Sequence, residues 1–120
     1  MLTPRPRDEI EAQYAKAERM LLGNRRDGRT ATATEPVIAV SGVAHALAWV
    51  LGRTPRAPLS GRDLPDPGPA ELFSEYARAE AVRHRGRRVL PEGMDRVYVG
   101  GIELALAWAR GEADATPPAG

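Results

Sequence analysis

Apolar residues near the start of the chain fall on one face of a helix. They recur at intervals of four, three and four residues, at Ile10, Tyr14, Ala17 and Leu21. The same spacing returns later in the chain, at Leu72, Tyr76 and Ala79. Because an α-helix turns once in about 3.6 residues, each set forms a stripe along its helix. The pattern predicts two amphipathic helices, each with one buried face.

Two other segments are apolar over most of their length and also show helical spacing. Their periodic positions are Val40, Val43, Leu47 and Val50 in one segment, and Val99, Ile102, Leu106 and Ala109 in the other. Gly52 and Gly111 follow the segments, where a glycine often ends a helix. Thr34 and Asp95 precede them and are candidate N-caps. We predict two further helices that are buried more deeply than the first two.

The β-branched residues of these segments also allow a different interpretation. Residues 37–40 and 97–99 are rich in valine and lie just before glycines. Short β-branched runs that stop at glycine are typical of strands. An α+β fold with two short strands is therefore the alternative to an all-α fold.

Comparison of the chain with itself reveals an internal repeat. The sequence YAKAE at 14–18 returns as YARAE at 76–80. The segment 40–52, VSGVAHALAWVLG, returns at 99–111 as VGGIELALAWARG, and seven of the aligned positions are identical, including Trp49 and Trp108. Each half is therefore predicted to contain a helix, a loop and a second helix.

A proline-rich linker, residues 53–70, separates the two halves. Its five prolines, at 55, 58, 65, 67 and 69, exclude regular structure. Leu59 and Leu64 are the linker residues expected to hold it against the rest of the chain.

The predicted organisation is a disordered lead, one domain made of two repeats, and a flexible tail. These are residues 1–7, residues 8–111 with repeats 9–52 and 71–111, and residues 112–120. A helix pair cannot bury its apolar face alone. We therefore predict an all-α fold in which the duplicated helix-loop-helix units form a pseudo-two-fold four-helix bundle.

Small residues recur in the two apolar segments with the spacing of a helix ridge. They are Gly42 and Ala46 in the first half, and Gly101, Ala105 and Ala109 in the second. Such ridges allow two helix axes to approach closely. Alanine is frequent throughout the chain, however, so composition alone is a second explanation.

Composition narrows the class of protein. The chain has 120 residues, a formal net charge of +1 and no cysteine, which fits one domain and excludes disulfides and cysteine-based metal sites. The longest apolar stretch, residues 37–51, is interrupted by Ser41 and His45 and is shorter than the roughly 20 residues that span a bilayer. The first residues do not resemble a secretory signal. We therefore expect a cytoplasmic protein that does not enter the membrane.

Candidate catalytic and metal-binding groups are few. Two pairs of glutamates occupy matching positions in the halves: Glu18 with Glu80, and Glu9 with Glu71. The Glu-x-x-His partners that accompany such carboxylates in metal-binding bundles are missing, and glutamates in a first helical turn are explained by the helix dipole. Neither His45 nor His84 has the spacing of a metal-ligand motif. We therefore expect no metal, no cofactor and no catalytic residue.

Arginines cluster after the first helix of each half. The residues that could bind nucleic acid or an acidic partner, called here the Arg clusters, are Arg25, Arg26, Arg83, Arg85, Arg87 and Arg88. If the halves are related by a two-fold axis, the Arg clusters form two symmetric basic patches suited to phosphates. Cations at a helix C-terminus also stabilise the helix through its dipole, which is the simpler explanation.

The sequence thus favours binding over catalysis. An alanine-rich bundle with small-residue ridges extends easily to a homodimer or to a complex with a protein partner, which is the first functional hypothesis. The alternative is a nucleic-acid-binding regulator that uses the Arg clusters. A third hypothesis is an all-helical hydrolase that uses the duplicated glutamates.

Overall fold

A computed structural model describes residues 4–26, 35–85, 96–112 and Pro117. These residues form four α-helices: α1, Arg7–Arg26; α2, Glu35–Val50; α3, Pro69–Arg85; and α4, Arg96–Ala109. The part of the chain that the structure describes contains no β-strand. The prediction of an all-α four-helix bundle is confirmed.

The alternative with two short strands is wrong. Residues 37–40 lie within α2 and residues 97–99 lie within α4. Val40 and Val99 are both almost fully buried in the core of the bundle. Burial between helices therefore outweighs the preference of β-branched residues for strands, which depends strongly on context.

The first turns of α1 and α3 and the ends of α2 and α4 agree with the sequence prediction. Asp8 and Glu9 lie in the first turn of α1, and Glu71 lies in the first turn of α3, where carboxylates stabilise the helix dipole. Gly52 and Gly111 follow α2 and α4 with φ angles of 77° and 81°, a left-handed conformation that favours glycine. The candidate N-caps, Thr34 and Asp95, lie outside the described residues.

Both C-terminal glycines belong to the same hydrogen-bonded motif. The Gly52 amide donates to the Trp49 carbonyl at 3.0 Å, and the Arg53 amide donates to the Ala48 carbonyl at 2.8 Å. The corresponding bonds after α4 run from Gly111 to Trp108 at 2.9 Å and from Glu112 to Ala107 at 2.9 Å. The ends of α2 and α4 are therefore capped in the same way. In each, backbone amides that follow the helix donate to carbonyls of its last turn, which would otherwise lack a hydrogen-bond partner.

Helices α2 and α4 pack against each other at the centre, with α1 against α2 and α3 against α4. The two central helices approach each other closely at Gly42 and Gly101. A methyl group built on Gly42 would overlap the Tyr98 carbonyl, and one built on Gly101 would overlap the Ala39 carbonyl. The two contacts are reciprocal, since Gly42 matches Gly101 and Ala39 matches Tyr98 when Val40 is aligned with Val99. The small residues at this crossing therefore serve packing.

The proline-rich linker forms a compact irregular loop. Ala57 donates its amide to the Arg62 carbonyl at 3.0 Å, and Leu64 donates to the Pro55 carbonyl at 2.7 Å. Leu59 is buried and Leu64 packs against the core, as the sequence suggests for these two leucines. The indole Nε1 of Trp49 donates to the Leu64 carbonyl at 3.1 Å, which ties the loop to α2.

The two flanking segments each place a described residue against the bundle. Arg5 donates its amide to the Ala109 carbonyl at 2.9 Å. Pro117 is buried and accepts a hydrogen bond from Gln13. The domain boundaries and the origin of the chain by duplication stay predictions.

Candidate functional site

The structure places four of the six cluster arginines at helix ends. Arg25 and Arg26 are the last two residues of α1, and Arg83 and Arg85 lie in the last turn of α3. Arg87 and Arg88 lie outside the described residues. The matching ends of two helices therefore carry arginines, as the dipole explanation and the phosphate hypothesis both require.

Other arginines, which the sequence did not single out, stabilise helix ends and aromatic rings. Arg5 donates from Nε to the Trp108 carbonyl at 3.1 Å, and its guanidinium lies 5.4 Å from the centre of the Trp108 ring. Arg7 donates to the Leu51 carbonyl at 3.1 Å. Both carbonyls lie at helix C-termini, where a cation complements the partial negative charge. These contacts are structural and provide no open site.

Arg110, which follows α4, contacts two aromatic rings on the surface of α3. Arg110 stacks on two rings, with its guanidinium 4.8 Å from the centre of Phe73 and 5.1 Å from that of Tyr76. It also forms an ion pair with Glu112 at 2.6 Å. The charge of Arg110 is therefore already engaged within the chain.

The matched glutamates Glu18 and Glu80 each lie beside a tyrosine of their own helix. Glu18 accepts a hydrogen bond from Tyr14, and this bond, with burial, raises the pKa of the Tyr14 hydroxyl. Burial also raises the pKa of Tyr76, with a further contribution from Glu112 and Glu80 nearby. Among the residues that the structure describes, no group of three or more acidic or histidine side chains is arranged to hold a metal ion.

His45 forms a pair with a tyrosine of the neighbouring central helix. Its Nδ1 lies 2.5 Å from the Tyr98 hydroxyl, and the ring centres lie 6.3 Å apart. Burial lowers the pKa of His45 and raises that of Tyr98, because a low-dielectric environment disfavours the charged form of each. Both groups are therefore held neutral near pH 7, and the pair joins α2 to α4.

Two buried polar residues at matching positions were missed by sequence reasoning. Glu75 is 2% exposed and accepts hydrogen bonds from the Leu59 and Ser60 amides at 2.9 and 3.0 Å. Gln13, at the matching position of α1, is 7% exposed and donates to the Pro117 carbonyl at 3.1 Å. Their signal was present, since both fall on the apolar face of their helices. Gln13 lies between Ile10 and Ala17, and Glu75 lies between Leu72 and Ala79. Gln13 therefore holds Pro117 against α1, and Glu75 holds the linker against α3. Both side chains bind backbone groups of the chain itself.

The partly exposed surface of the central helices carries almost no charge. Helix α2 carries partly exposed residues with helical spacing at Ile38, Ser41, His45 and Ala48. These residues are called here the α2 stripe. The matching residues of α4, the α4 stripe, are Val97, Gly100 and Leu104. Leu104 is 42% exposed. By contrast, the exposed residues of α1 include Asp8, Glu9, Lys16 and Arg19.

A shallow groove of about 300 Å³ lies along the α4 stripe. It is bounded by Ala39 of α2 and by five residues of α4: Arg96, Val97, Gly100, Gly101 and Leu104. The groove is largely apolar, and the exposed Arg96 contributes its one formal charge. The described residues that line it include none of the predicted site residues.

The helices formed by the described residues are too short or too polar to cross a bilayer.

No protein-family model, curated protein or solved structure matches this chain.

Proposed function

We propose that the chain is a non-enzymatic protein-binding module that associates with a protein partner, or with a second copy of itself, through the stripes of α2 and α4. One observation carries this proposal. The residues of the two stripes are partly exposed and uncharged, whereas α1 and α3 expose charged side chains. A surface helix of a monomeric domain normally has a polar outer face. An uncharged outer face is a feature of helices that are covered by a partner.

Self-association is tested first, by light scattering over a range of protein concentrations. We expect the wild-type mass to rise with concentration. Leu104→Glu and Ile38→Glu each place a carboxylate in a stripe and should weaken association about tenfold or more, because the charge would lose its water in the interface. The matched control is Ala77→Glu, which adds the same charge to an exposed position of α3. Association that is equally strong in all four proteins would contradict the proposal.

If the wild type is monomeric at all concentrations, the proposed partner is a different protein. A photo-crosslinking residue at position 104 should then capture a partner, and the same residue at position 77 should not. The cross-linked protein is identified and its binding is measured with purified components. Binding that survives Leu104→Glu would place the partner elsewhere on the chain and overturn the proposal.

Binding to nucleic acid is the second candidate, and it depends on the Arg clusters. Arginines stand at the ends of α1 and α3, which correspond in the two halves. A gel shift on duplex DNA and on RNA tests it: each neutralised phosphate of a duplex should contribute about 0.9 to the log-log salt slope. Changing Arg25, Arg26, Arg87 and Arg88 to Ala should flatten that slope. No shift with wild-type protein at low salt would eliminate this candidate.

The third candidate, a hydrolase that uses the duplicated glutamates, has less support. Glu18 lies beside Tyr14, and Glu80 lies on the exposed side of α3. We propose that these residues are not catalytic. Nucleotide hydrolysis that is lost in Glu18→Gln and Glu80→Gln would show otherwise.

A further inference from the structure

The two central helices differ at one matched position beside their crossing. In the alignment of 40–52 with 99–111, extended by one residue, Ala39 of α2 corresponds to Tyr98 of α4, and His45 corresponds to Leu104. The Tyr98 phenol extends to His45 on α2. Ala39 has no such ring with which to reach Leu104 on α4. The two sides of the crossing therefore differ, because an aromatic ring is present on one side only.

The groove on α4 lies where the second ring would be. Ala39 and Leu104, the counterparts of Tyr98 and His45, both line it. At the crossing the contacts are reciprocal, since Gly42 approaches the Tyr98 carbonyl and Gly101 approaches the Ala39 carbonyl. On the other side of the crossing, the Tyr98 ring packs against α2 at the position that corresponds to the groove. An aromatic ring is therefore the kind of group that fits the groove.

The lining of the groove defines the chemistry of its occupant. Val97, Gly100 and Leu104 present apolar surface, which favours a flat hydrophobic ring. Leu104 has no hydrogen-bonding atom in its side chain, so the groove does not provide the contact that His45 gives to Tyr98. Arg96 adds a positive charge at an exposed position, which favours an anion beside the ring.

We propose that this groove receives an aromatic side chain of a protein partner, with an acidic residue next to it. The inference rests on the proposed function, because it specifies which part of a partner the α4 stripe recognises. The ring would cover the surface that Tyr98 covers on the other side of the crossing. The adjacent carboxylate would pair with Arg96.

Small probes test the groove independently of any partner. Phenylacetate carries a ring and a carboxylate, benzylamine carries a ring and an ammonium group, and acetate carries no ring. Each is titrated into the protein while backbone amide resonances are followed by NMR. We expect saturable shifts with phenylacetate in the millimolar range, as for a ligand of this size, at the amides of Val97, Gly100 and Leu104. Benzylamine should bind about two- to fivefold more weakly, because Arg96 is exposed and its charge is screened, and acetate should not shift these amides.

Two substitutions fill the groove from within. Ala39→Tyr restores the ring found at the matching position, and we expect phenylacetate to bind at least tenfold more weakly. Gly100→Leu is a second way to fill it, since a side-chain carbon at Gly100 meets no atom within 4 Å, and the helix should form normally. Ala77→Tyr, which adds the same ring on the exposed side of α3, is the control and should bind phenylacetate as the wild type does. Arg96→Gln should remove the preference for phenylacetate over benzylamine.

The outcomes separate this inference from the proposed function. Wild-type protein that shows no saturable shifts, or filled variants that bind phenylacetate unchanged, would overturn the aromatic site even if light scattering shows association. Probe binding that is lost in both filled variants supports the site, even if the chain proves monomeric and captures no partner.

Discussion

The helix pairs α1–α2 and α3–α4 share a backbone plan but differ in their polar side chains. Both central helices cross at a glycine and end at a left-handed glycine. At the matched buried position, however, α1 carries Gln13 and α3 carries Glu75. The comparison shows that apolar and glycine positions determine the arrangement of the helices. Polar positions adapt each half to the segment that covers it.

The difference between Gln13 and Glu75 has a direct chemical reason. Glu75 meets two backbone amides of the linker, which are hydrogen-bond donors, and a carboxylate is an acceptor. Gln13 meets the carbonyl of Pro117, an acceptor, and the glutamine amide provides the donor. Each side chain therefore matches its partner, and a carboxylate in place of Gln13 would leave a buried group unsatisfied.

The largest loss of stability is expected from the matched tryptophans. Trp49 is fully buried and Trp108 is 4% exposed. Replacing either with alanine should lower the free energy of unfolding by about 3–5 kcal/mol. Trp49→Ala should cost more, because it also removes the hydrogen bond to the linker at Leu64. Chemical denaturation measures both losses, and an unchanged midpoint for either variant would contradict its place in the core.

Substitutions at neighbouring glycines test where α2 and α4 cross. Gly42→Ala and Gly101→Ala should each destabilise the protein by about 1–3 kcal/mol, because the added methyl group forces the helices apart. Gly100→Ala is a matched control in the same helix, where the methyl group meets no atom within 4 Å. It should stabilise the protein by up to about 1 kcal/mol through helix propensity. Equal effects of Gly100→Ala and Gly101→Ala on thermal unfolding would show that the crossing lies elsewhere.

Exchanging the matched polar residues Gln13 and Glu75 tests whether each side chain is matched to its own hydrogen-bond partner. Gln13→Glu places a carboxylate against the Pro117 carbonyl and should destabilise the protein by about 1–3 kcal/mol at neutral pH. Burial would raise the pKa of the new carboxyl, so the loss should shrink as the pH falls and the group becomes a donor. Glu75→Gln keeps an acceptor oxygen and should lose only about 1 kcal/mol. Unfolding measured at two pH values checks both, and a loss in Gln13→Glu that grows at low pH would contradict the account.

The smallest effect concerns His45. Burial lowers its pKa from 6.5, so the unfolded chain binds the proton more strongly than the folded protein does. The stability contributed by the neutral imidazole is present above the unfolded pKa and is lost as the pH falls from 6.5 through the lowered pKa.

His45→Leu, which installs the residue of the matching position, should remove this part of the pH dependence. The measurement is the difference in Tm between about pH 7.5 and pH 5, for wild type and variant. Tyr98→Phe is the companion change, since it removes the hydroxyl and keeps the ring. A pH dependence that is identical in wild type and His45→Leu would exclude His45 as its source.

The helical periods and the terminal glycines were determined by the sequence itself. Apolar spacing depends on local geometry, and Gly52 and Gly111 mark the helix ends because few other residues adopt a positive φ. The strand alternative at 37–40 and 97–99 could not be excluded from the sequence. Its β-branched residues suit both structures until burial between helices decides.

The partners of the buried polar residues, and the groove, were decided by tertiary structure alone. Glu75 falls in the apolar stripe of α3, but only the folded chain brings the linker amides of Leu59 and Ser60 to its carboxylate. The groove exists only because α2 and α4 cross at Gly42 and Gly101, which brings Ala39 beside the α4 stripe. A sequence records which side chains are present along one helix, whereas a site between helices depends on which two surfaces meet.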